Sequence, residues 1–181
     1  MIGDDDIIYT GDSPEHTSSD YYGDTVVGGA GNDRIYGQGF APHTLYGNRG
    51  DDYMVGGKGD NKMYGDTYPE DYGFNTTTGA PYDASVETGD DTMHGEEGDD
   101  LMYAGPGDDY VYGDEGDDEL YGSYGDDTLW GGDGSDYIYT GTGWDTVFGG
   151  DGCDQIFSND GADVIWAGDC DPTADEESFD N

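Results

Sequence analysis

The chain has 181 residues, with 44 Asp and Glu against four Lys and Arg, a formal net charge of −40, and 35 glycines. Its length fits one domain, so acidic a chain will not hold nucleic acid by neutralising phosphates, and no apolar run approaches the ~20 residues of a membrane span. Only 32% of residues are hydrophobic, too few to offset the entropy of ordering, so the chain is expected to stay unfolded until a ligand neutralises its carboxylates.

In chain order, Met1-Ile2-Gly3-Asp4 has neither a basic n-region nor an apolar h-region, so no signal peptide is visible. Apolar triplets, each preceded by Asp, follow at Asp6-Ile7-Ile8-Tyr9 and Asp24-Thr25-Val26-Val27. Between them, Ser13 to Asp20 is either an expanded turn or a degenerate copy of the same unit. From Gly28 the chain reads GGAGNDRIY, a ten-residue version from Gly37 to Tyr46, GNRGDDYMV and GGKGDNKMY, which ends at Tyr64. A longer loop over 67–87 holds Pro69, Pro81 and the sequon Asn75-Thr76-Thr77. Glycosylation of Asn75 and a bare, solvent-exposed insertion are both compatible with it. After a partial copy from Gly89 to His94, eight nonapeptides run without a gap from Gly95 to Trp166. The segment 167–181 begins another turn, loses the pattern at Asp171-Pro172, and reads as an acidic cap to a repeat domain over 1–166.

Numbered one to nine, the units repeat two positions with little variation. Position six is Asp6, Asp24, Asp33, Asp52, Asp91, Asp100, Asp109, Asp118, Asp127, Asp136, Asp145, Asp154 and Asp163, departing only at His43 and Asn61. Position eight is aliphatic in every copy, from Ile8 and Val26 through Leu129 to Ile165. Six residues rich in Gly and Asp favour a turn. The remaining three suit a short strand with one side chain inward. Two units then make one coil of eighteen residues, with a strand on each side and a turn at each edge. Stacked coils bring the position-six carboxylates to the same edges about 4.8 Å apart. Such a ladder needs cations between its rungs.

These units closely resemble the GGxGxDxUx nonapeptide of the RTX, or haemolysin-type, calcium-binding family. The resemblance implies an all-β, right-handed parallel β-roll in which several Ca²⁺ ions are held by the thirteen position-six aspartates and by turn carbonyls. Extracellular modules of this kind bind the ion at about 10⁻⁴–10⁻³ M. His43 and Asn61 leave open the sites they would complete.

Cys153 and Cys170 lie on one edge in neighbouring coils, close enough for a disulfide, with two free thiols as the alternative. Position nine points outward yet is mostly aromatic. Tyr112, Trp130, Phe148 and Trp166 are expected to form one ladder, and Tyr103, Tyr121, Tyr139 and Phe157 the other, on flat and uncharged faces. Three uses are open: plain cross-strand packing, contact with a partner or a second copy of the chain, and stacking on polysaccharide rings. His16, His43 and His94 are scattered, no nucleophile motif is present, and no enzyme is expected. The leading expectation is a secreted or cell-surface structural β-roll that folds on Ca²⁺ and self-assembles. The alternative is a polysaccharide-binding or export module of a larger secreted enzyme or toxin.

Overall fold

The computed structural model describes residues 5–10, 23–65, 89–168 and 170. Expectations for Ser13 to Asp20, for the loop at 67–87 with Asn75, and for the segment after Cys170 fall outside those residues.

Every described regular element is a strand. The first seven are β1 (Ile7–Tyr9), β2 (Thr25–Ala30), β3 (Arg34–Tyr36), β4 (Thr44–Arg49), β5 (Tyr53–Gly57), β6 (Lys62–Tyr64) and β7 (Thr92–Glu97). Then come β8 (Leu101–Pro106), β9 (Tyr110–Glu115), β10 (Glu119–Tyr124), β11 (Thr128–Asp133) and β12 (Tyr137–Thr142). The last three are β13 (Thr146–Asp151), β14 (Gln155–Phe157) and β15 (Val164–Trp166). Odd-numbered strands build one sheet and even-numbered strands the other, each in numerical order with parallel pairing throughout. The chain therefore winds as a two-sheet parallel β-roll, as the period of nine requires.

Register is position for position. Leu129 sits opposite Val111 on one side and Val147 on the other. It survives both irregular segments. Met54 pairs with Met93, so the additional residues between Tyr64 and Thr92 are inserted without shifting the ladder. Gly65 and Asp91 meet at one corner, where a Cβ added to Gly65 would collide with the Asp91 carboxylate. The insertion thus replaces part of a single unit. Ile8 pairs with Ile35, and β1 and β2 lie in different sheets although Ile8 and Val26 are eighteen residues apart. In consequence Asp6 and Asp24 lie on opposite edges.

The core is one side chain wide. Ile35, Leu45, Met54, Met63, Met93, Met102, Val111, Leu120, Leu129, Ile138 and Val147 are fully buried, all at position eight. Ile8, Val26 and Ile156 are only partly buried near the ends of the stack.

One sequence expectation needs correction. Most strands hold six residues rather than three and continue into positions one to three of the following unit. Position two turns the corner in the left-handed region, with φ of 121° at Gly132 and 73° at Asp114. Its backbone nevertheless stays in the ladder, since Gly132 pairs with both Asp114 and Gly150. Stacking identical coils satisfies backbone groups around the bend, which a single unit read alone does not reveal. The motif wants Gly at position two for this reason, and Asn48, Glu96, Asp114, Ser123 and Asn159 hold the strained conformation there instead.

Candidate metal centre

Each edge of the roll carries a ladder of position-six side chains. One reads Asp6, Asp33, Asp52, Asp91, Asp109, Asp127, Asp145 and Asp163. The other reads Asp24, His43, Asn61, Asp100, Asp118, Asp136 and Asp154. All thirteen aspartates named from the sequence fall on these two rows.

The rungs are wired alike. The backbone N–H of one rung donates to Oδ1 of the next, as Asp109 N does to Asp127 (2.9 Å) and Asp118 N to Asp136 (2.9 Å). The contact recurs along both edges, from Asp6 N to Asp33 (2.8 Å) up to Asp145 N to Asp163 (3.1 Å). One oxygen of each receiving carboxylate is thereby used. The other oxygen, Oδ2, is buried without a hydrogen-bond partner in Asp33, Asp52, Asp118, Asp127, Asp136 and Asp154.

The surroundings of that oxygen test whether a cation fits. A Cβ added at Gly131 would collide with Asp136 Oδ2 and with the carbonyl oxygen of Gly149 in the next coil. The same holds at Gly113 for Asp118 Oδ2 and Gly131 O. Two acceptors therefore converge at position one with no donor between them. Burial accordingly raises the carboxyl of Asp136 to about 6, of Asp52, Asp118 and Asp127 to about 7, and of Asp100 to about 8, with carboxylates of neighbouring rungs adding to the rise. Among the described residues no three His, Cys, Asp or Glu side chains form a metal cluster. The donors that converge at position one are a carboxylate and a backbone carbonyl, and a cation there would share the two. Hard oxygen donors only, from a flexible set, suit Ca²⁺.

A second acidic row escaped the sequence reading. Position five carries Asp51, Asp90, Asp108 and Asp126 on one edge, all exposed. Each accepts the N–H of position five in the following coil, as Asp108 Oδ1 does from Asp126 (2.8 Å) and Asp126 Oδ1 from Trp144 (2.8 Å). The inner carboxylates reach back to the preceding coil, whereas these reach forward. The repeated Gly-Asp-Asp triplet was the available signal. On the opposite edge Cys153 holds position five, and it is joined to Cys170 of the next coil by a disulfide with Cα atoms 4.5 Å apart.

The outward aromatic rows differ from one another. On the odd-numbered sheet Tyr112, Trp130, Phe148 and Trp166 stack in parallel, with centroids 4.4, 5.4 and 4.6 Å apart. On the even-numbered sheet Tyr103 and Tyr121 stack at 4.5 Å, but Tyr139 tilts by 40° from Tyr121. Phe157 packs instead against Tyr137, a bulky position-seven ring. Nor is that face uncharged as expected, because exposed Glu119 accepts a hydrogen bond from Tyr121 (3.4 Å).

Replacing Asp127 by Ala removes the acceptor for Asp109 N and one buried carboxylate. Calcium titration followed by circular dichroism is expected to show a weaker midpoint and a shallower transition. Thr128→Ala, on the outer face, is expected to change neither. Equal shifts in both variants would contradict the assigned register.

No curated protein and no solved structure matches the chain. A family model for the RTX calcium-binding nonapeptide repeat (4 copies) does, over residues 19–39, 44–67, 87–120, 112–143, 121–156 and 149–171. Those matches span more than half of the chain and most of the rungs described above, and on that ground the chain belongs to the family of RTX calcium-binding nonapeptide-repeat proteins.

Proposed function

We propose that this calcium-binding β-roll is an extracellular structural unit that folds on Ca²⁺ and assembles with further copies of itself. The observation that carries the reading is the state of the two ends of the stack. Among the described residues β1 and β15 are the outermost strands of one sheet, and β2 and β14 of the other. They carry exposed apolar side chains: Ile7, Tyr9 and Val27 at one end, Phe157, Ile165 and Trp166 at the other. Parallel strands of matching register and side-chain type can continue both sheets from one molecule into the next.

An extracellular setting is supported by the chemistry. Carboxylate–carbonyl sites of this kind suit the calcium levels outside cells, and the Cys153–Cys170 disulfide suits an oxidising compartment. A purely structural role is supported by the use of the buried carboxylates in the ladder. The aromatic rows favour assembly over sugar binding. Stacking on a polysaccharide needs open ring faces, and along the row from Tyr112 to Trp166 the faces are turned to one another.

Sedimentation velocity over a range of protein concentrations, in Ca²⁺ and in chelator, tests this. Calcium-dependent, concentration-dependent higher-order particles are expected, visible as filaments by electron microscopy. A folded, calcium-loaded monomer at every concentration would overturn the assembly reading.

A further inference from the structure

The ladder that begins at Asp24 contains two rungs of a different kind. Asn61 takes the N–H of His43 on its Oδ1 (2.9 Å), as an aspartate there would. That contact fixes the orientation of the amide, so Nδ2 stands where the second carboxylate oxygen stands elsewhere. The surroundings agree: a Cβ added at Gly56 would meet Asn61 Nδ2 and Gly95 O, the counterparts of Asp136 Oδ2 and Gly149 O at Gly131. Nδ2 is a donor, however, and it donates to the carbonyl of Gly59 and, at 3.4 Å, to that of Gly57.

His43 follows the same logic with a ring. Its Nδ1 accepts the N–H of Asp24 (3.0 Å), so the ring hydrogen lies on Nε2, which donates to Gln38 O (2.9 Å). Both side chains are as buried as the aspartates, at 2% and 1% exposure. In aspartate rungs such as Asp118 and Asp136 an acceptor faces an acceptor. In these two a donor faces an acceptor, and no charge is desolvated.

We infer that His43 and Asn61 close their rungs with their own N–H groups in place of a cation. One edge of the roll then carries a metal-free stretch over two successive rungs. The other edge remains cation-dependent in the same coils, through Asp33 and Asp52. Calcium is thus distributed unequally, and the side chain at position six decides rung by rung whether an ion is taken. The inference rests on the reading that the aspartate rungs hold Ca²⁺.

Native mass spectrometry of the whole chain in saturating Ca²⁺ counts the ions directly. Asn61→Asp is expected to bind one ion more than the parent, and the converse Asp118→Asn at least one fewer. Asn61→Ala, which removes the donors without adding a carboxylate, is expected to keep the parent's count while unfolding at lower urea concentration. A reduced count in Asn61→Ala would make Asn61 a calcium ligand and overturn the inference. So would an unchanged count in a folded Asn61→Asp whose Asp118→Asn counterpart loses its ion. If the parent chain binds no Ca²⁺ at all, the underlying calcium reading fails, a result distinct from either of these.

Discussion

In chelator at neutral pH the chain is expected to lose its β-sheet circular dichroism and to regain it cooperatively as Ca²⁺ is added. The cause is local as well as global. A net charge of −40 repels itself, and folding also buries carboxylate oxygens such as Asp127 Oδ2 and Asp136 Oδ2 with no donor to meet them. Protons can do in part what calcium does. The carboxyls of Asp52, Asp100, Asp118, Asp127 and Asp136 are raised from 3.8 to between about 6 and about 8, chiefly by burial. A carboxyl whose folded value is raised adds stability below its unfolded value and loses it as pH climbs through the folded one. The calcium-free roll should therefore be more folded near pH 4 than at pH 8, with the loss spread over about pH 4–8. Calcium affinity should fall as pH drops through the same window, because protons compete for the same oxygens. Mg²⁺ should substitute poorly, since it demands tighter octahedral geometry and gives up water reluctantly. A chelated chain with a full β signal at pH 8 would contradict the charge argument.

Much of this architecture was legible from two columns of the repeat. Asp at position six and an aliphatic residue at position eight require a turn and an inward-pointing side chain every nine residues. That alone gives two sheets, two acidic edges and a core one residue wide. What was not legible depends on stacking. The strands run through position two because the neighbouring coil holds the backbone of residues such as Gly132, and no property of one unit announces this. The position-five row acts between coils as well, with Asp108 serving Asp126, so it read merely as further acidity. Tyr139 keeps its place in the row, opposite Tyr121 and Phe157, but its ring is tilted from Tyr121, and Tyr137 at position seven of the same strand lies at the same 6.1 Å from that ring. At His43 and Asn61 the departure from Asp was visible in the sequence. Its consequence required the positions of Gln38 O and Gly59 O.

The core and the aromatic row should respond to mutation in opposite ways. Leu129 is fully buried between Val111 and Val147 in a file with one residue per strand. Leu129→Ala is expected to cost about 2–5 kcal/mol, because so thin a core has little material to close the cavity. Calcium-saturated urea denaturation measures it, and a loss below about 1 kcal/mol would place Leu129 outside the core. Trp130 is outward but not idle, for it is stacked at 4.4 Å on Tyr112 and 5.4 Å on Phe148. Its replacement by Ala breaks these contacts and a third, to Tyr110 at 6.3 Å, and should cost about 1–3 kcal/mol. Trp166 is the cleaner probe of function. Among the described residues it stacks on Phe148 alone, on the outermost strand of its sheet, and it is 52% exposed. Trp166→Ala should therefore fold at nearly the parent's calcium midpoint while failing to form higher-order particles in sedimentation. Normal assembly with lost retention on a polysaccharide column would make the row a sugar platform instead. Parental behaviour in both assays would reduce the row to sheet packing and leave assembly to rest on the exposed apolar side chains of β1, β2 and β14.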